Sequence, residues 1–426
     1  MKKNISLLRN FFDQKFKREA LISVIGMLME YYSIFISGYV DPLLRQEFFS
    51  EKSFLLNMYG YIPTVSILVG ACLCGYYGDR YGRRKSIAWT VSLVAIPTFL
   101  ISICPTFAQI GILSSIMVIL LRAIQTAAFS GDIVGLVTFL LEESPSNQRG
   151  KYGGYMSMGS GLGVALAVLV VANIRPINQN SQHWQWRIPM ALAIFGLLVA
   201  IYFIRRIKDT ATFAHYKKTH KLKNPFYDIF NNYKKMLASV ICVTSLAPVI
   251  TVVIFGFVPY LSMRYYQFSE NMALGYSAFS LILFSALAPV FGYVSDIYGR
   301  KPILFIVFTS LIILCIYVYL FANINHSYVI VVLQILFAII SSAYYGVTFA
   351  LVVEHFPTHI RYTSVAFGYA ITYVIFGNLL GKKLEDWLID LNSSGFLPLL
   401  PLVINAILAL CGLFFLKEEA KHKLAD

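Results

Sequence analysis

The sequence predicts an all-α membrane protein: twelve transmembrane helices in two pseudo-symmetric six-helix bundles. Of its 426 residues, 58% are apolar and only 13% charged, against about 25% charge in an ordinary soluble domain. Apolar runs of the roughly 20 residues needed to cross a ~30 Å hydrocarbon core recur twelve times. A basic turn, GYYGDRYGRRK at Gly75 to Lys85, returns as GYVSDIYGRKP at Gly292 to Pro302.

The predicted spans are 21–43, 57–78, 86–104, 109–141, 153–172, 187–204, 237–261, 272–293, 303–321, 327–353, 364–384 and 397–416. An even number of spans puts both termini on one side. Placing them in the cytoplasm puts 27 of the 35 Lys and Arg on that side, as the positive-inside rule requires. The net charge of +14 therefore lies in loops beside helix ends, where it meets anionic lipid headgroups; it does not indicate nucleic-acid binding. The N-terminal segment is basic and amphipathic but has no compact apolar region before a small-residue cleavage site, so it is expected to stay on the mature protein.

The two basic turns start 217 residues apart, each joining the second span of its half to the third. A second motif repeats beside them: EESPSNQR at Glu142 to Arg149 and EHFPTHIR at Glu354 to Arg361, both E-x-x-P-x-x-x-R. Two motifs recurring at nearly one offset indicate a duplicated six-helix unit, an architecture common among transporters. The expected organisation is an N-terminal bundle at 1–204, a basic linker at 205–236, a C-terminal bundle at 237–416 and a short tail at 417–426. The glycine pair Gly159 and Gly163, four apart in the fifth span, reads as a packing surface.

Ionisable groups at membrane depth are costly and mark ion or substrate paths. Glu30 and Arg122 are the two that the spans place near the midplane, with Asp132 closer to the cytoplasm and Asp41 near the outer end. Counting 1.5 Å per residue from the span ends brings Glu30 and Arg122 to similar levels. Gln125 shares a helix face with Arg122. Its two readings are a substrate hydrogen bond and an interhelical contact. Tyr31, Tyr32 and Phe35 offer rings for a quaternary ammonium or for plain packing. The six cysteines fall in or at apolar spans, where a thiol serves as a small hydrophobe, and the seven histidines lie outside the expected membrane cores. Neither a metal site, a cofactor nor an enzyme's nucleophile is indicated, and the absence of a nucleotide-binding loop argues against drive by ATP.

The first turn matches G-x-x-x-D-R-x-G-R-R-K at Gly75, Asp79, Arg80, Gly82, Arg83, Arg84 and Lys85, and in this the chain resembles the major facilitator superfamily. Further motifs resemble its metabolite:proton symporter branch, which includes proline/betaine, shikimate and oxoglutarate transporters. They are Gly26, Glu30, Tyr31 and Tyr32 in the first span, RAIQTAAFSGD from Arg122, WQWRIPM from Trp184, DTATF from Asp209 and FPTHIRY from Phe356. Three positions depart from the branch: Ser33 stands where it has Asp, Asp132 where it has Glu, and Ala370 where it has Asn. The osmosensing members' C-terminal coiled coil has no counterpart in KEEAKHKLAD.

The resemblance implies the major facilitator fold and cytoplasmic ion pairs among Asp79, Glu142, Arg149, Asp296, Arg300, Glu354 and Arg361 that hold an outward-facing state, with Gly299 completing the second turn. It lets Glu30 and Arg122 meet across the cavity, Arg122 taking a substrate carboxylate in competition with Glu30, and it brings Ser341 and Tyr345 to the cavity with Tyr31, Tyr32 and Ser33. The expected function is proton-coupled import of a small carboxylate-bearing or zwitterionic metabolite across a bacterial inner membrane, by a protein working as a monomer. The alternatives are a proton-driven exporter or antiporter and a non-transporting solute sensor.

Overall fold

The computed structural model describes residues 2–50, 53–174, 184–219, 224–252, 262–263, 267–321, 327–379, 399–420, 422 and 424. Among the described residues, nine helices are long and apolar enough to cross a membrane: Lys17–Tyr39, Phe54–Tyr81, Arg83–Ile103, Ile112–Glu143, Arg149–Asn173, Lys234–Thr251, Asn271–Tyr298, Arg300–Tyr319 and Val329–Glu354. They supply the first five spans and the seventh to the tenth.

The other three spans are less regular. The sixth, Arg187–Phe203, contains a 3-10 turn at Leu192–Phe195. The eleventh passes from an α-helix, Arg361–Thr372, into a π-helical turn at Tyr373–Leu379. The twelfth is Leu400–Phe415. The all-α, twelve-span reading holds. The expected stretches 253–261, 380–384 and 397–398 lie outside the described residues.

Local chemistry sets several ends away from their expected places. The first helix starts at Lys2, well before residue 21, because the N-terminal segment continues it. The fourth span starts at Ile112 because Thr106 and Gln109 form a capping box on a short helix, Phe107–Ile110, and Gly111 at φ +60° ends that helix. The linker carries two short helices, Ala211–Thr219 and Pro225–Asn232.

Each signature turn reverses direction through one glycine. Gly82 has φ +120° and Gly299 φ +99°, conformations that a side chain strains. The second and third spans are thus separated by one residue, as are the eighth and ninth.

The halves meet along two helix pairs related by the duplication, the fifth span with the eighth and the eleventh with the second. Small residues permit the approach. A Cβ on Gly150 would lie 2.3 Å from the Gly292 carbonyl oxygen, and one on Gly154 would lie 2.5 Å from that of Ala288. Gly159 and Gly163 serve the other side of the fifth span, where added Cβ atoms would lie 2.6 and 2.3 Å from the carbonyl oxygens of Val24 and Leu28 in the first span. Apolar side chains on the outer faces, such as Leu73, Ile313 and Phe415, are exposed, as lipid-facing positions require.

Candidate functional site

The end of the bundle that carries both signature turns, the motif face, is closed by two buried charge networks. In the first, Asp79 pairs with Arg83, four residues on across the Gly82 reversal, at 2.5 Å. Glu142 Oε1 accepts from Arg83 Nη2 at 3.1 Å and from Arg361 Nη1 at 2.7 Å. Glu142 Oε2 accepts from the Thr210 hydroxyl at 2.6 Å. Arg83 also donates to the Thr358 carbonyl at 2.8 Å. The Arg361 pair and the Thr358 contact cross from one half to the other.

The second network repeats the first with the halves exchanged. Asp296 pairs with Arg300 at 2.8 Å. Arg300 donates to both oxygens of Glu354, at 3.1 and 3.2 Å. Arg149 approaches Glu354 at 3.8 Å and donates to the His422 carbonyl at 2.7 Å. Charges buried this deeply are tolerated because each finds a counter-charge and hydrogen bonds.

Both aspartates also cap a helix of the opposite half. Asp79 accepts from the Thr363 backbone N–H at 2.7 Å, the Thr363 hydroxyl at 2.6 Å and the Tyr362 N–H at 3.2 Å. Asp296 accepts from the N–H groups of Gly150 and Lys151, both at 2.8 Å. These are first-turn donors without intrahelical acceptors, and a carboxylate there also meets the positive end of the helix dipole.

Two further carboxylates, one from the linker and one from the tail, cap the third and ninth spans in the same way. Asp209 accepts from Arg84 N at 2.8 Å. Glu418 accepts from Arg300 N at 3.0 Å and Lys301 N at 2.8 Å. They lie against the signature glycines: a Cβ on Gly82 would sit 2.5 Å from Asp209, and one on Gly299 would sit 2.9 Å from Glu418. Gly75 also belongs to this face, packed on the Thr363 backbone, where an added Cβ would lie 2.7 Å away. Arg80 stands apart from the networks; it is exposed, and it donates to the Tyr76 hydroxyl and lies over the Tyr76 ring.

The opposite end holds a cavity of about 600 Å³. Tyr31, Phe35, Tyr59 and Arg122 line it from the N-terminal half, and Tyr369 and Tyr373 from the eleventh span. At its mouth Asp41 accepts from Arg45 Nε at 2.6 Å and from the Tyr59 hydroxyl at 2.7 Å. Arg122 donates to Gln125 Oε1 at 2.8 Å, and no carboxylate lies within ion-pairing distance of it among the described residues.

The expected Glu30–Arg122 pair is replaced by another. Glu30 lies beside Asp132, carboxyl against carboxyl. Both are fully buried. Asp132 Oδ1 accepts from the Thr90 hydroxyl at 2.6 Å, whereas Glu30 meets no partner other than Asp132 among the described residues. Their chain neighbours Tyr31 and Ile133 line the cavity, so the pair sits just behind its wall.

Helix register explains the exchange. The Gln125 amide donates to the Ser33 carbonyl and the Ser37 hydroxyl, both at 3.1 Å, and to the Thr98 hydroxyl at 2.6 Å. That sets Gln125 level with Ser33 to Ser37, and Asp132, two turns deeper, level with Glu30. Counting from span ends misses this because the fourth span reaches past the end of the first: the Ser115 hydroxyl bonds the Phe48 carbonyl, in the short helix Asp41–Phe48 that follows the first span. Gln125 itself is buried between helices.

Of the aromatics proposed for the site, Tyr31 and Phe35 line the cavity. Tyr32 turns into the N-terminal half, where its hydroxyl donates to the Pro189 carbonyl at 2.7 Å. Ser33 is buried and donates to the Met29 carbonyl at 2.7 Å. Ser341 and Tyr345 line a smaller chamber next to the cavity. The capping roles of Asp209 and Glu418, and the Thr90 contact to Asp132, had no local sequence signal.

The profile of the Major Facilitator Superfamily matches residues 23–381 and 277–425. The chain belongs to that superfamily. Across 97% of its length it is 27% identical to the glycine betaine/proline/ectoine/pipecolic acid transporter OusA of Dickeya dadantii, covering 85% of that protein. It is 26% identical to the proline/betaine transporter of Escherichia coli over the same shares, and 26% identical to the shikimate transporter of that organism over 85% of each chain. Among solved structures, the proton:xylose symporter XylE bound to 6-bromo-6-deoxy-D-glucose superposes with a TM-score of 0.73 at 18% identity, covering 97% of this chain and 98% of the other. As a superfamily member, the chain is a multi-pass membrane transporter and not an enzyme.

Proposed function

We propose that the chain is a proton-coupled importer of a small zwitterionic or carboxylate-bearing metabolite, working by alternating access as a monomer in a bacterial inner membrane with the motif face in the cytoplasm. The observation that carries this reading is the Glu30–Asp132 pair. Two carboxyls buried side by side, with no cation paired to either among the described residues, cannot both be ionised cheaply, which makes the pair a place where a proton can be taken up and released. It stands behind the wall of a cavity whose cationic donor, Arg122, is steered by Gln125 and matches a substrate carboxylate.

Coupling follows from this arrangement. With the motif face latched, substrate and proton enter from the outer side. Release of the latch opens the cytoplasmic side, and the proton leaves the carboxyl pair with the substrate. The relatives named for betaine, proline and shikimate transport agree with a small carboxylate-bearing cargo.

The test is uptake of a radiolabelled panel (proline, glycine betaine, shikimate) into proteoliposomes with an imposed inward proton gradient. Accumulation that collapses on adding a protonophore is the expected result. Accumulation only against an outward gradient would make the protein an exporter, and binding without any counterflow would make it a sensor.

A further inference from the structure

Next to the main cavity lies a chamber of about 30 Å³ between the two halves, room for one or two water-sized groups. Tyr31 and Phe35 line both spaces and form the partition. Besides Tyr31, five hydroxyl-bearing residues line the chamber: Ser160, Thr251, Ser280, Ser341 and Tyr345, from the fifth, seventh, eighth and tenth spans.

A count of hydrogens gives the chamber a polarity. Ser160 donates to the Ser157 carbonyl at 2.7 Å, Ser280 to that of Tyr276 at 3.0 Å and Ser341 to that of Phe337 at 2.6 Å. Thr251 and Tyr345 both reach the Ala247 carbonyl, at 2.9 and 2.8 Å, and each other at 3.1 Å. Each hydroxyl has a single hydrogen, so all five are committed to the protein and what remains is lone pairs. These five hydroxyls present acceptors, not donors, to the chamber. Around it stand the rings of Tyr31, Phe35 and Phe284, whose faces attract cations.

We propose that this chamber seats the ammonium end of the substrate and selects amines bearing N–H groups over quaternary ones. The assignment rests on the zwitterion reading above: Arg122, which only donates, takes the carboxylate, and the acceptor-rich chamber takes the amine. A secondary ammonium places two N–H donors among the lone pairs. A trimethylammonium has none to place. An anion entering the chamber would meet the lone pairs of these five hydroxyls.

The test compares L-proline and glycine betaine, two zwitterions with one carboxylate each that differ at nitrogen, in proteoliposomes under an inward proton gradient. The KM for proline is expected to lie about tenfold or more below that for betaine, the equivalent of one lost hydrogen bond. Thr251→Val and Ser341→Ala should each raise the proline KM several-fold while moving that for betaine by less than about twofold. Replacing sodium with choline should change nothing. Thermal unfolding in detergent separates a lost site from a lost fold, and Ser280→Ala supplies a further variant on a different helix. Equal KM values for both compounds, a proline KM unmoved in folded variants, or a sodium requirement would each overturn the assignment while leaving the zwitterion reading standing. Uptake of neither compound would sink the zwitterion reading, and the assignment with it.

Discussion

Asp79 and Thr363, 284 residues apart, are joined by two hydrogen bonds, one from the Thr363 backbone N–H at 2.7 Å and one from its hydroxyl at 2.6 Å. Asp79 is a signature-turn residue of one half, and Thr363 lies in the first turn of the eleventh span, in the other. The contact therefore exists only while the motif face is closed. Asp79→Asn keeps the shape but removes the charge, and hydrogen bonds to a charged group are worth about 1.5–3 kcal/mol. The variant should shift the population toward opening at the motif face by at least about tenfold. Spin labels across that face, read by pulsed electron resonance, measure it; an unchanged distance distribution would count against the latch.

Gly82 and Gly299 should resist substitution for two reasons at once. Their backbones are left-handed, and each faces a capping carboxylate, Asp209 or Glu418. Alanine at either position should cost about 1–3 kcal/mol, visible as a lower melting temperature in detergent. Pairing Gly82→Ala with Asp209→Ala should recover part of that loss, since the clash is relieved while the strained φ remains. A double variant no better than the sum of the singles would remove the steric part of the argument.

Glu30→Gln should leave proline counterflow within several-fold of wild type but abolish accumulation driven by a proton gradient, because an amide cannot carry the proton. Asp132→Asn should act in the same direction and more weakly, since Asp132 also holds Thr90. Gradient-driven accumulation that survives Glu30→Gln would move the coupling site elsewhere.

Arg122→Lys should raise the KM for carboxylate substrates about tenfold or more, because an ammonium cannot reproduce the guanidinium fork held by Gln125. Yield and thermal unfolding should stay near wild type, since no carboxylate is orphaned by the change. Undiminished uptake by Arg122→Ala would exclude the residue from substrate binding.

His359 Nε2 meets Asp228 Oδ2 at 2.5 Å, and the imidazole stacks on Tyr216 with ring centroids 5.4 Å apart. The linker thus grips the loop that also supplies Thr358 to Arg83. A double-mutant cycle on His359→Ala and Asp228→Ala should give a coupling of about 0.5–3 kcal/mol by thermal unfolding; strict additivity would mean the contact carries no weight.

The motif face was legible because its residues recur in pairs: Asp79 with Asp296, Arg83 with Arg300, Glu142 with Glu354, Arg149 with Arg361. Recurrence points to shared position before any geometry is known. The helix caps were not legible. Ile360 and Gly82, which precede the eleventh and third spans, provide no side-chain cap, and the carboxylates that serve instead arrive from far along the chain. Glu30, Arg122 and Asp132 were recognisable as costly charges in apolar helices, but their pairing was not, because it depends on how far the fourth span slides along the first.

The sequence by itself determined residence in a membrane, the duplicated helices and the turns that join them, since hydropathy and recurrence are properties of the chain read in order. Only the tertiary structure decided which charges meet. One helical turn moves a side chain about 5.4 Å, more than the reach of a hydrogen bond, and that register is set by interhelical contacts such as Gln125 to Ser33 and Ser37.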